Sequence, residues 1–173
     1  NYTVSKKVLI DFHEERMALF NNSAADIIAI ETIPSLIEAE VLSELLNKFD
    51  KPAWISFSCK DEGHINDGSP IEKVISLFEE HPTVFAVGVN CTHPKYISGL
   101  IRKLKESTNK KLLVYPNSGE AYNAKTKEWL GLSEPLSFAE MAKEWISLGA
   151  DMIGGCCRIG PKHIKELTNQ KPK

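Results

Sequence analysis

The sequence predicts an α/β fold built from parallel strands with helical crossovers, and three observations predict it. Five short segments rich in Ile and Val (26–31, 53–58, 84–90, 111–115 and 151–155) lack the alternation of a half-exposed sheet and read as strands buried on both faces. Helical patterns fill the intervals between them. Most strand starts are spaced by about 30 residues, the length of a βα unit. Two architectures satisfy this alternation: an open doubly wound sheet, or part of a (β/α)8 barrel. No G-x-G-x-x-G follows any strand, which weakens a dinucleotide fold. A complete barrel takes roughly 250 residues, so five units in 173 residues make only part of one.

A helix over 5–20 precedes the first strand, with Val8, Phe12, Leu19 and Phe20 expected near one face. The next, over 34–48, opens with Pro34 in its first turn and carries Leu36, Ile37, Val41 and Leu45. Ser69 is the expected N-cap of a helix over 70–80, and Pro94 opens another to Ser107. Ser137 and Glu140 form a capping-box pattern for a helix ending near Leu148, and Pro161 starts the last one. The connection from Asn117 to Leu136 is unusually long, and loops of that length are often functional.

Composition narrows the partners. With 42% hydrophobic and 25% charged residues and a net charge of -2, the chain reads as a soluble globular domain with no electrostatic case for nucleic acid or a membrane surface. Its apolar runs are too short to span a bilayer. No signal peptide is visible, and the first residue is Asn rather than Met, so the chain is expected to begin inside a larger protein. The four cysteines do not make a disulfide scaffold, and adjacent Cys156 and Cys157 strain an intramolecular bridge. Metal binding or thiol chemistry in a reducing, cytoplasmic setting is the expectation.

The C-terminal ends of the strands carry the chemistry. They read Glu31-Thr32, Asn90-Cys91, Pro116-Asn117-Ser118-Gly119-Glu120 and Gly154-Gly155-Cys156-Cys157. In parallel α/β folds this rim is where ligands bind. Cys91 and Cys156 lie two βα units apart, and Gly154-Gly155 allows irregular backbone that turns both vicinal sulfurs to one point. Three thiolates with one open position describe a catalytic zinc site; three buried packing cysteines are the competing reading. Cys59 is expected to pack, and His93 to cap a helix rather than ligate. His13, His64, His81 and His163 show no constellation. Glu31 is a candidate functional carboxylate, whereas Asn117 and Glu120 fit either a turn or a binding role.

Several of these motifs together resemble the homocysteine S-methyltransferase family, in its branch using S-methylmethionine or S-adenosylmethionine. The resemblance runs from about Phe12 to the last helix, through Glu31-Thr32-Ile33-Pro34, Trp54-Ile55-Ser56-Phe57-Ser58, Asp67-Gly68, Gly88-Val89-Asn90-Cys91, Tyr115-Pro116-Asn117-Ser118-Gly119-Glu120 with Lys127-Glu128-Trp129, and Gly154-Gly155-Cys156-Cys157-Arg158. It implies a partial (β/α)8 TIM barrel, approximately strands 4–8 with their helices. Residues 1–173 would then be the C-terminal portion of the homocysteine-binding domain, without its N-terminal strands. It also implies Zn2+ on Cys91, Cys156 and Cys157, with Glu31 holding the homocysteine ammonium; Asn117 is a further substrate-binding candidate. The substrates implied are homocysteine and a sulfonium methyl donor, and the product methionine. The alternatives are a truncated, inactive paralogue or barrel fragment, a Cys156-Cys157 redox module, and a different barrel enzyme acting on phosphates, for which no Gly-rich phosphate loop is present.

Overall fold

In chain order the elements are α1 (Lys6–Asn21), β1 (Ile28–Ile33), α2 (Leu36–Leu46), β2 (Ala53–Phe57), α3 (Ile71–Ser76), β3 (Val84–Asn90) and, after a 3-10 turn at Pro94–Tyr96, α4 (Ile97–Ser107). There follow β4 (Lys111–Tyr115), β5 (Ala121–Asn123), β6 (Glu128–Leu130), α5 (Phe138–Leu148), β7 (Met152–Ile153) and α6 (Pro161–Thr168). The structure is a computed structural model and describes residues 3–131 and 137–168.

Strand order decides between the two architectures left open by the sequence. The five-stranded sheet is entirely parallel and runs β1-β2-β3-β4-β7. A doubly wound sheet reverses its strand order at a switch point. Here every βα unit adds its strand to the same advancing edge. This single winding is that of a (β/α)8 barrel, of which the chain forms an arc of five strands.

Register and pleat sort the residues into two faces. Ile55, Phe57, Val87, Val89, Leu112 and Val114 are fully buried in one cluster with Leu42, Leu45, Val74, Leu100 and Leu104 from the helices. The other face carries Trp54, Ser56, Asn90, Leu113 and Tyr115, a mixed polar and apolar surface suited to a barrel interior. Gly88 lies on it. A Cβ there would stand 1.8 Å from the Leu113 carbonyl oxygen, so only glycine permits this strand pairing.

Several boundaries differ from expectation. β1 extends through Glu31 and Thr32 to Ile33, because a register shift between Ile30 and Ile33 lets both Ile side chains reach the core. Pro34 precedes α2, whose N-cap is Ser35, and Pro70 rather than Ser69 caps the short α3. The capping box of Ser137 and Glu140 forms as expected. In α1 the expected apolar face is wrong: Val8, Phe12, Leu19 and Phe20 are exposed, while Leu9, His13 and Met17 are buried. The stripe that meets α2 is an i, i+4, i+8 row containing a histidine, whose Nε2 lies 2.8 Å from Glu38 of α2. Counting apolar residues alone passes over such a row.

The long connection after Asn117 has structure of its own. Its antiparallel hairpin pairs Tyr122 with Trp129. The turn is closed by the Asn123 side chain, which accepts from the N–H groups of Lys125 and Thr126. Residues 132–136 of that connection lie outside the described residues.

Candidate metal centre

Cys91 follows the last residue of β3, and Cys156-Cys157 follow β7, two strands away. The intervening segment after β4 joins them. Tyr115 O accepts from the Cys91 N–H at 3.2 Å, and the Asn117 N–H donates to Thr92 O at 3.1 Å. On its other side Pro116 O accepts from the Cys156 N–H at 2.8 Å, while the Ser118 N–H donates to Cys157 O at 3.1 Å. Tyr115-Pro116-Asn117-Ser118 is thus hydrogen-bonded to both cysteine segments at once.

The backbone at this rim takes unusual conformations. Thr32, Cys91 and Arg158 adopt φ of 62°, 48° and 69°, in the left-handed region that side chains other than glycine rarely occupy. Gly154 and Gly155, in contrast, are not among the positive-φ glycines. At Gly155 the need is close approach: a Cβ there would lie 2.1 Å from Ile159 Cγ2. The chain folds back on itself there, which brings both vicinal sulfurs to one side.

The three thiols are free, and their sulfurs lie within 4.8 Å of one another. Cys91 and Cys157 are 3.7 Å apart, Cys156 and Cys157 4.0 Å. Three sulfurs about 2.3 Å from a tetrahedral zinc would be separated by about 3.8 Å. Both spacings match such a site. Among the described residues no His, Asp or Glu joins this group, which could hold a metal ion through three sulfurs. The Asn90 amide points its Nδ2 at Cys156 Sγ from 4.0 Å, and its Oδ1 accepts from the Thr32 N–H and the Ser56 hydroxyl. Ser56 in turn hydrogen-bonds the Tyr115 hydroxyl.

Titration of the cluster is shared among its members. The neighbouring thiols favour ionisation of Cys156, chiefly through Cys91, and disfavour it at Cys91. Burial raises Cys157. Cys59 is not one of the three clustered thiols, although it borders the same cleft, and burial pushes it to about 12.

Two clefts adjoin the cluster. One is lined by Glu31, Trp54, Leu113, Tyr115 and Met152 of the inner sheet face and by Gly154-Gly155. The other, about 480 Å³, lies under the hairpin and is lined by Cys91, Cys157, His93, Asn117, Glu120, Tyr122 and Trp129 among others. The Asn117 side chain accepts from the Gly119 N–H at 3.0 Å, so its turn role is real while it also faces the cleft. His93 caps the turn before α4 through the Lys95 N–H, as expected. Glu120 accepts from Ser118 and from both Nε and Nη2 of Arg158, and that guanidinium holds its carboxyl below the usual carboxylate range. Sequence reasoning did not name Tyr122, and it named Ser56 and Arg158 only as members of matching motifs, with no role. A polar residue inside an otherwise apolar strand was the available signal for Ser56.

A sequence profile of the homocysteine S-methyltransferase family matches residues 1–170. The chain belongs to that family. It is 45% identical over 169 residues to homocysteine S-methyltransferase YbgG of Bacillus subtilis, covering 97% of this chain and 54% of that protein. Homocysteine S-methyltransferase 2 of Arabidopsis thaliana is 40% identical over 178 residues, with 98% and 53% covered. The metallated form of the homocysteine methyltransferase MmuM from Escherichia coli superposes with a TM-score of 0.84 at 32% identity, covering 99% of this chain and 54% of that one. The chain therefore spans about half the length of the curated family members it matches. No described helix is long and apolar enough to cross a membrane.

Proposed function

We propose that the protein transfers a methyl group from a sulfonium donor, S-methylmethionine or S-adenosylmethionine, to homocysteine, with Zn2+ held by Cys91, Cys156 and Cys157. The observation that carries this reading is the convergence of three thiols within 4.8 Å of one another, two of whose spacings match a tetrahedral zinc site, at the edge of a cleft. The chain would be the C-terminal portion of the homocysteine-binding domain, acting in a reducing, cytoplasmic setting where free thiols persist.

Held by Cys91, Cys156 and Cys157, Zn2+ would supply Lewis acidity that lowers the pKa of the homocysteine thiol, so that its proton is lost to solvent and its sulfur is available as a thiolate. The remaining work belongs to the protein. Glu31 opens onto the inner cleft and offers a carboxylate to the homocysteine ammonium. Trp54, Leu113 and Met152 line the same cleft with apolar surface that excludes water from the substrate chain. The Asn90 amide, fixed by Thr32 and Ser56, holds the Cys156 sulfur in place. Asn117 faces the second cleft, where the donor enters. In the transfer a bond forms from homocysteine sulfur to the methyl carbon as the bond from that carbon to the sulfonium sulfur breaks. The electron pair stays on the leaving sulfur, which departs as a neutral thioether, and homocysteine becomes methionine. No base is needed at carbon, so catalysis rests on alignment.

The test is methionine formation by the intact protein from homocysteine with either donor. Activity should disappear on chelation and return with zinc. Zinc-loaded protein that forms no methionine with either donor would favour an inactive barrel fragment instead.

A further inference from the structure

We infer that the rings of Tyr122 and Trp129 form the receiving surface for the positively charged sulfonium centre of the methyl donor. The inference rests on the methyl-transfer reading above and assigns the donor to the hairpin cleft.

Four observations converge on it. Tyr122 and Trp129 face each other across β5 and β6 with ring centroids 5.2 Å apart and planes tilted by 48°. Neither belongs to the hydrophobic core, and Tyr122 is 53% exposed. Among the described residues, the two rings pack on each other across the hairpin and stand outside the core. Second, both rings line the cleft that Cys91 and Cys157 also line, so an occupant touching the rings sits beside the sulfur cluster. Third, the cleft's lining suits a cation. Two aromatic rings, the cysteines and His93 line it, and its one carboxylate, Glu120, is engaged by Arg158, so the ring faces are the groups left to receive a cation. Aromatic faces attract a poorly hydrated cation such as a sulfonium through the ring quadrupole. Fourth, the hairpin is fastened to the metal-ligand loop: Arg158, directly after Cys157, grips Glu120, directly before β5, at 2.9 and 3.1 Å. The aromatic pair is thereby held at a fixed place relative to the cysteines.

The inner cleft, with Glu31 and its apolar wall, is left to homocysteine. The two substrates then approach the cluster through different openings.

Steady-state kinetics of the intact, zinc-loaded protein tests this with Trp129→Leu, Tyr122→Leu and the aromatic replacement Trp129→Phe. The Leu variants should raise the KM for the sulfonium donor about tenfold, the scale of one desolvated cation–π contact, with the homocysteine KM and zinc content unchanged. Trp129→Phe should recover most of the loss. Competition by methionine, a neutral thioether, against the donor adds a readout of charge: wild type should favour the sulfonium over the thioether, and the Leu variants should lose that preference. Should the Leu variants fail to fold, the preference is read in wild type against Trp129→Phe, which should weaken it. Unchanged donor KM and unchanged charge preference would overturn the assignment while leaving the methyl-transfer reading intact. Absence of methyl transfer by wild type would instead overturn the reading on which it rests.

Discussion

The sulfur of Cys91 lies 3.7 Å from that of Cys157, although 66 residues separate the two in sequence. The segment from Tyr115 to Ser118 accounts for their meeting, since its backbone bonds to Cys91 and Thr92 on one side and to Cys156 and Cys157 on the other. Replacing Cys91 or Cys157 with Ser should therefore reduce bound zinc well below one equivalent in the intact protein, with the far-ultraviolet circular dichroism unchanged. Elemental analysis of the purified variants checks this. Stoichiometric zinc with a full transfer rate in either variant would remove that residue from the ligand set.

Thiol reactivity without metal should follow the order of ionisation. The neighbouring thiols lower the Cys156 pKa, chiefly through Cys91, whereas burial pushes that of Cys59 up to about 12. Brief iodoacetamide treatment of metal-free protein, read by peptide mass spectrometry, should label Cys156 first and Cys59 last. Zinc should protect all three cysteines of the cluster.

Gly155 should tolerate no side chain. A Cβ there would meet Ile159 Cγ2 at 2.1 Å and Cβ at 2.4 Å, so trimming Ile159 to Ala cannot relieve the clash. Gly155→Ala should cost about 1–3 kcal/mol by overpacking and weaken zinc binding at least about tenfold as the vicinal sulfurs are displaced. Competition with a chromophoric chelator measures the second effect. Native zinc affinity in Gly155→Ala would show that the turn has room to adjust.

The fold was legible because its periodicity is strong. Buried parallel strands made continuous apolar runs, and Cys91 and Cys156 fell just beyond two of them. The hairpin was not legible: Ala121–Asn123 and Glu128–Leu130 are three residues each, too short for any alternation to register. Its aromatic pair becomes a feature of the site only when Tyr122 and Trp129 are seen side by side. The hydrogen-bonded set of Thr32, Ser56, Asn90 and Tyr115 was equally hidden, because it forms across neighbouring strands rather than along one. Winding direction, which separates barrel from open sheet, is a property of strand order that local pattern does not contain.

The buried His13–Glu38 pair gives a stability prediction from the same blind spot. Both side chains are nearly inaccessible, and Arg16 bonds the second ring nitrogen of His13 at 3.2 Å. His13→Ala removes this hydrogen bond from a buried carboxylate and truncates a buried ring, so it should lose roughly 1–3 kcal/mol. Urea denaturation of the intact protein checks it. A loss below half a kcal/mol, the range of ordinary surface substitutions, would mean that α1 and α2 do not depend on this contact.

Arg158→Ala should loosen the hairpin while sparing the metal. Its guanidinium joins Glu120 to the loop that carries Cys157, but it is not part of the thiol cluster. The donor KM should rise several-fold with zinc content retained, and Arg158→Lys, which cannot form the bidentate fork, should recover only part of the loss. Equal kinetics in all three proteins would show that the grip has no bearing on donor binding.

The account's central claim is tested most directly by X-ray absorption at the zinc edge of the intact protein, before and after homocysteine is added. The account predicts three sulfur neighbours at about 2.3 Å with one lighter atom, becoming four sulfurs when homocysteine binds. A shell dominated by nitrogen or oxygen, or one that gains no sulfur on adding homocysteine, would contradict it.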